Sequence, residues 1–381
     1  MVGRTLGVVV AGGRRPGLDP LVAADAALTP FAGKFRFIDF ALATLANSGV
    51  HETYVLAPDP RGRLAARLAR TAARATLTPL AALGDGSRSA RLALALAHAA
   101  PLVDRHAADT LVVLSADHIL QLDLRPLVAA HRAMAADATL AALPVGDGST
   151  APRLRIGADR SVAGVASGAD EAAAALGWAG DLVVRGAALP ALRAALAGAT
   201  TDAEAIDALA AAGPLRAYDV VEAPLPADGR RTYWHEPVTL EAYYDAQMNL
   251  CTPRPSLDLY DPAWPLPGVV TGLPPAKVVA DHAGRAGQAL NALVSDGSVI
   301  RGGVVVNSVL GSGVVVESGA EVENSVLLDG CRIGAGAQVR RAIVGPGAVV
   351  RDGEAIGYGT PPSAPGRLAP SGLSVVVASS S

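Results

Sequence analysis

The hydrophobic pattern of the first 250 residues alternates between short apolar runs and helical stretches. Runs rich in β-branched residues at 5–11, 51–57 and 110–115 read as strands, and 139–144 reads as another. Helical stretches near 64–74 and over 124–136 lie between them. Strand followed by helix, repeated, predicts a parallel sheet covered on both faces, a doubly wound α/β domain. Ligands of such sheets gather at the carboxyl ends of the strands. Two segments fall there: Gly12-Gly13 after the first run, and Asp117 after the third.

A second regime follows the Pro-rich stretch 252–275. Gly313, Gly330 and Gly347 are spaced 17 apart, and so are Gly319, Gly336 and Gly353. Val309, Val326 and Ile343 keep the same interval of 17. Two glycine series and one apolar series in step predict a solenoid of short strands, a parallel β-helix. Matching valines stack inward and glycines turn the corners. The expected organisation is an α/β domain over 1–250, a Pro-rich linker over 251–285 and a β-helix over 286–381. The flat faces and ends of a solenoid suit an oligomer.

Composition narrows the class. Half the residues are apolar, alanine dominates and aromatics are scarce, so the core rests on aliphatic contacts. Net charge is −3 with acids and bases interspersed, which argues against nucleic acid as a partner. No apolar run reaches the ~20 residues of a membrane span. The apolar stretch from Leu6 is a strand and lacks the layout of a secretion signal, so a cytoplasmic protein is expected. Cys251 and Cys331 fit no metal spacing and are expected to be reduced.

The segment 8–20, VVVAGGRRPGLDP, has the opening of a phosphate-cradling turn. GKFRFIDFALATLANSG (33–49), SADHILQLDLRPLVAAHR (115–132), TYWHEPVTLEAYYDAQMNL (232–250), LDLYDPAWPL, PPAKVV and ALNALVSDG follow it along the chain. Together these stretches resemble the ADP-glucose pyrophosphorylase (glucose-1-phosphate adenylyltransferase) family, from about Leu6 to Gly357. The resemblance implies a doubly wound nucleotidyltransferase domain followed by a left-handed parallel β-helix. It implies the reaction of ATP with glucose 1-phosphate to give ADP-glucose and pyrophosphate, in glycogen biosynthesis. There, a glycine loop, an Arg and a Lys handle the triphosphate, two carboxylates hold Mg²⁺, and a Glu-Lys pair meets the sugar phosphate.

Matched position by position, the fold-building stretches are retained and the phosphate-handling ones are not. Gly12, Gly13, Arg14, Arg15 and Ser89 fall on the nucleotide positions, but Arg15 replaces a glycine and Pro16 removes a backbone donor. Gly17 stands at the family's catalytic arginine and Ala27 at its lysine. Asp117 and Glu236 fall on the metal positions, with Pro237 restricting the second. Trp178 and Gly180 fall on the substrate segment, whereas Ser167-Gly168 replaces the Glu-Lys pair. Ala23 and Ala24 stand where the family shows polar or basic groups near the N-terminal loop. Lys34, His118 and His235 read as structural. The loop is therefore expected to bind ATP weakly or not at all.

Three functions remain open on the sequence. One is a catalytically impaired family member, a regulatory or scaffolding subunit in a homo- or hetero-oligomer with an intact pyrophosphorylase. The second is an active transferase using Mg²⁺, in which Arg14, Arg15, Arg153 or Arg155 takes over the lost charges. The third is a non-catalytic sensor of nucleotide or sugar phosphate.

Overall fold

The computed structural model describes residues 3–378 apart from Arg14, Pro20, 22–24, 72–73, 81–87, 146–150, Ala169, 172–173, 222–231 and 360–365. The chain divides into two compact units. The first comprises Met1–Gly13, Ile38–Trp234 and Ala263–Pro267; the second comprises Arg14–Phe37, His235–Pro262 and Gly268–Ser381.

The first unit is built on a seven-stranded sheet. Its strands are β1 (Thr5–Val10), β2 (Thr53–Ala57), β3 (Thr76–Pro79), β4 (Thr110–Ser115), β5 (Ala138–Pro144), β6 (Leu176–Arg185) and β7 (Leu215–Asp219). Their spatial order is β7-β5-β6-β4-β1-β2-β3. The central strands β1, β2 and β4 are buried along nearly their whole length, which is why they read as unbroken apolar runs. Helices α1 (Phe37–Asn47), α2 (Arg63–Leu68), α3 (Arg88–His106), α4 (Leu124–Ala133), α5 (Leu189–Ala195) and α6 (Asp202–Ala212) connect or flank them. α3 buries Leu92, Ala95, Leu96 and Ala99, at a helical period, in the same core as Leu6, Val8 and Val113.

Two features differ from the sequence reading. The sheet is mixed, because β6 runs antiparallel to both β4 and β5. A short antiparallel hairpin, 154–156 with 162–165, lies in the connection that leads into β6. The helix expected over 64–74 is only the six residues of α2.

β1 and β4 pair in parallel, with Val10 opposite Ser115. The Ala116 N–H donates to the Val10 carbonyl at 2.9 Å, so the Gly12-Gly13 turn and Asp117 leave the sheet side by side. β6 carries an irregularity between Trp178 and Leu182, with Gly180 at φ 96°. Such a bulge re-aims a side chain, here Asp181.

The second unit holds the solenoid. Its strands form three sheets, and successive coils pair in parallel, as in a left-handed β-helix. Val305, Val322 and Val339 stack in one column, and Ile300, Val316, Ile333 and Val350 in another, all buried. All six glycines of the two series have positive φ, between 65° and 71°. The first strand, Lys277–Val279, pairs in parallel with Val299–Arg301, so coiling begins just after the Pro-rich stretch 252–275. An antiparallel hairpin, Gly366–Leu368 with Ser374–Val376, ends the third sheet.

Helix α7 (Leu240–Asn249) and residues 30–36 belong to this unit. The Tyr243 hydroxyl donates to the Pro30 carbonyl at 2.6 Å, and Gln247 Oε1 accepts the Ala32 N–H at 3.1 Å. Tyr244 donates to the Asn324 carbonyl at 2.7 Å, and Arg36 pairs with Asp329. Lys34 lies 3.6 Å from Asp296. Hence GKFR and the α7 segment are joints of the solenoid unit.

Candidate nucleotide site

In the first unit the loop after β1 has the backbone of a phosphate turn. Gly12 and Gly13 sit at φ 114° and 96°, which glycine adopts without cost. A guanidinium group faces the turn: Arg91 Nη1 lies 2.7 Å from where a Cβ of residue 13 would be. Arg88 packs on Gly180 in the same way, its Nε 3.1 Å from that residue's absent Cβ. Arg88 and Arg91 are three apart on the first turn of α3, so both project from one face.

Asp117 is buried and its carboxylate is fully engaged. Oδ2 accepts from Arg91 Nη2 at 3.0 Å, with Arg88 Nη2 at 4.0 Å. Oδ1 accepts from Ser115 Oγ at 2.6 Å and lies 3.2 Å from His118 Nδ1. The other nitrogen of His118 lies 3.0 Å from Asp181 Oδ2, and the ring is 5.4 Å from that of Trp234. Burial works to lower the pKa of His118, but the flanking carboxylates of Asp181 and Asp117 lift it to about 9. His118 is therefore an imidazolium donating to both acids. Asp202 takes the Ser89 N–H at 3.0 Å and lies 3.8 Å from Arg88. Burial pushes the Asp202 carboxyl up, against the pull of Arg88.

The predicted residues distribute as follows. Gly12, Gly13, Asp117 and Gly180 come together in the first unit, and Arg14 lies outside the described residues, as do Ala23 and Ala24. Ser89 is fully buried on α3. Trp178 is a core residue whose indole N–H donates to the Asp181 carbonyl at 3.0 Å. Arg153 and Arg155 donate to the carbonyls of Ala174 (2.7 Å) and Ala163 (2.8 Å).

In the second unit Arg15 Nη2 donates to Glu236 Oε1 at 2.6 Å. Gly17 lies in the turn Pro16–Leu18, where a Cβ would strike the Val238 carbonyl oxygen. Ala27 is buried in the turn Ala26–Leu28, its N–H held by Asp25 at 2.9 Å. His235 Nε2 lies 3.3 Å from the Ala242 carbonyl. Positions 17 and 27 are thus packed for small side chains as well as lacking the cations.

Arg88, Arg91, Asp181 and Asp202 were not singled out by the sequence reading. The signal was available in the string SRSAR: two arginines at helical spacing beside the aligned Ser89.

A divalent cation would have to compete with arginines at both carboxylates on the family's metal positions. Every partner of Asp117 given above is a donor, so a metal there would have to displace the Arg91 guanidinium. Glu236 already accepts from Arg15. Among the described residues no group of three or more His, Cys, Asp or Glu side chains could hold a metal ion. As they stand, these residues do not fit Mg²⁺.

Fold and loop together define a nucleotidyltransferase-type domain and a hexapeptide solenoid. Residues 6–151 match the family described as nucleotidyl transferase, and residues 274–376 the GlmU-like C-terminal hexapeptide family. A curated glucose-1-phosphate adenylyltransferase of Frankia casuarinae is 34% identical over 379 residues, covering 92% of this chain and 88% of the relative. Those of Deinococcus radiodurans and Thermus thermophilus are each 32% identical, covering 84% of both partners. The chain belongs to the glucose-1-phosphate adenylyltransferase family. No helix among the described residues is long and apolar enough to cross a membrane.

Proposed function

We propose that this chain is a catalytically impaired member of its family, acting in the cytoplasm as a regulatory or scaffolding subunit beside an intact adenylyltransferase of glycogen synthesis. One observation carries the reading: Asp117, the family's metal position, is bonded to Arg91 at 3.0 Å with its other oxygen also engaged. Nucleotidyl transfer is catalysed mainly by positioning and by charge placed where the leaving pyrophosphate develops it. Losing one preorganised electrostatic group costs about 10²–10³ in rate. Losing the arginine and the lysine independently would cost roughly 10⁴–10⁶.

The test is pyrophosphate release from ATP, glucose 1-phosphate and Mg²⁺ by the pure chain. The expected turnover is at least a hundredfold below an ordinary enzyme at ~10 s⁻¹. Turnover inside that range would instead establish the second reading, an active transferase with rewired arginines. That reading draws its support from Arg91 against Gly13, a cation already facing the phosphate turn.

A further inference from the structure

Two guanidinium groups stand in the mouth of the first unit's sheet, where the family resemblance expects a divalent cation at Asp117. We propose that this mouth is a metal-independent phosphate site, in which Arg88 and Arg91 replace the cation. The proposal rests on the reading that Asp117 has given up metal binding.

A divalent metal supplies two positive charges; so do Arg88 and Arg91. Their charge lies on planar forks that match phosphoryl oxygens two at a time. The forks are positioned by the backbone. Arg91 lies so close to Gly13 that any other residue there would force it aside, and Gly13 at φ 96° is already a glycine conformation. Arg88 is seated on Gly180 in the same manner. Both side chains are 13% exposed, which strips most water from them and still leaves an approach.

Arg91 donates to Asp117 at 3.0 Å, and Arg88 lies 4.0 Å from Asp117 and 3.8 Å from Asp202. A phosphate dianion carries twice the charge of a carboxylate, so it competes for both forks. Asp117 and Asp202 repel it, so binding requires the guanidinium groups to turn from the carboxylates to the anion. A magnesium-loaded phosphate fits poorly, because its cation would be pressed against two guanidinium groups. The chemical class is therefore free phosphate or pyrophosphate, or a phosphomonoester, without metal. This sign is opposite to that of a site whose ligand arrives with its metal.

The probe is inorganic pyrophosphate, measured by calorimetry and thermal unfolding of the full chain, in EDTA and in excess Mg²⁺ at matched ionic strength. Binding in EDTA that weakens when Mg²⁺ is added is the expected result. Arg91→Ala should weaken it about tenfold or more, the loss expected of one charged hydrogen-bonding partner. Arg91→Lys, which keeps the charge and the fold, should retain part of the affinity, and Arg88→Ala gives an independent reading. Binding that requires Mg²⁺, no binding in EDTA, or equal binding by all three variants would overturn the proposal. Turnover of ATP and glucose 1-phosphate would sink the impaired-subunit reading by a separate readout, leaving the EDTA result to stand or fall alone.

Discussion

Gly17, matched in the sequence reading to the family's arginine, is packed against backbone. A Cβ there would meet the Val238 carbonyl, which is backbone and cannot swing away. Restoring the family residue by Gly17→Arg is therefore expected to destabilise the chain by about 1–3 kcal/mol, the range for overpacking, and to leave turnover unchanged. Urea unfolding and pyrophosphate release would check both halves, and a gain in turnover would refute this account. Two buried histidines set a pH dependence of opposite signs. His131, held to Thr139 at 2.8 Å, is pushed down to about 4 by burial, then by Arg132 and Arg185. The unfolded chain takes a proton that the fold refuses, so this contribution is full above about 6.5 and lost as pH falls toward 4. His118 is the reverse: raised to about 9, its contribution is full below about 6.5 and lost as pH climbs through 9. Unfolding measured from pH 4 to 9 should be most favourable to the fold near the ordinary histidine pKa of ~6.5. His131→Gln should flatten the acid limb relative to the parent, and an unchanged limb would remove His131 from the explanation.

At the scale of elements, the solenoid and the sheet use glycine and asparagine for different ends. The corners of the coils place Asn291, Asn307 and Asn324 at φ between 46° and 49°. Asparagine tolerates this region, whereas other side chains cost about 1–2 kcal/mol there. Asn307→Gly is therefore expected to be nearly neutral and Asn307→Val clearly destabilising, even though Asn307 Oδ1 also accepts from Asn291 at 3.1 Å. Equal losses in both variants, read by thermal melting, would show that the hydrogen bond and not the backbone governs the corner. The 17-residue period made these coils legible in the sequence, because each coil repeats the same physical demand on the same position. α3 was less legible. Its buried face is periodic, but the polar side chains of its first turn acquire meaning only from Gly13, Asp117 and Gly180, which lie far away in the chain.

For the whole molecule, the retained stretches are those that make joints: Arg36 with Asp329, Tyr243 with Pro30, Tyr244 with Asn324. The proposed partner role has a direct test. Mixing it with an intact adenylyltransferase of the same family is expected to give a complex on size exclusion and to change that enzyme's rate or its response to effectors. Independent elution with unaltered kinetics would argue against the partner role.

The sequence by itself determined the layout of a strand-and-helix domain with a solenoid after it, the family, and the absence of an arginine at 17 and a lysine at 27. Those follow from local period and from residue identity, which need no third dimension. Only the tertiary structure decided that Asp117 is bonded to Arg91, that Glu236 is bonded to Arg15, and that residue 17 has no room for a side chain. These are pairings between groups far apart in the chain. Their energies depend on distance and burial, quantities that a one-dimensional string does not contain.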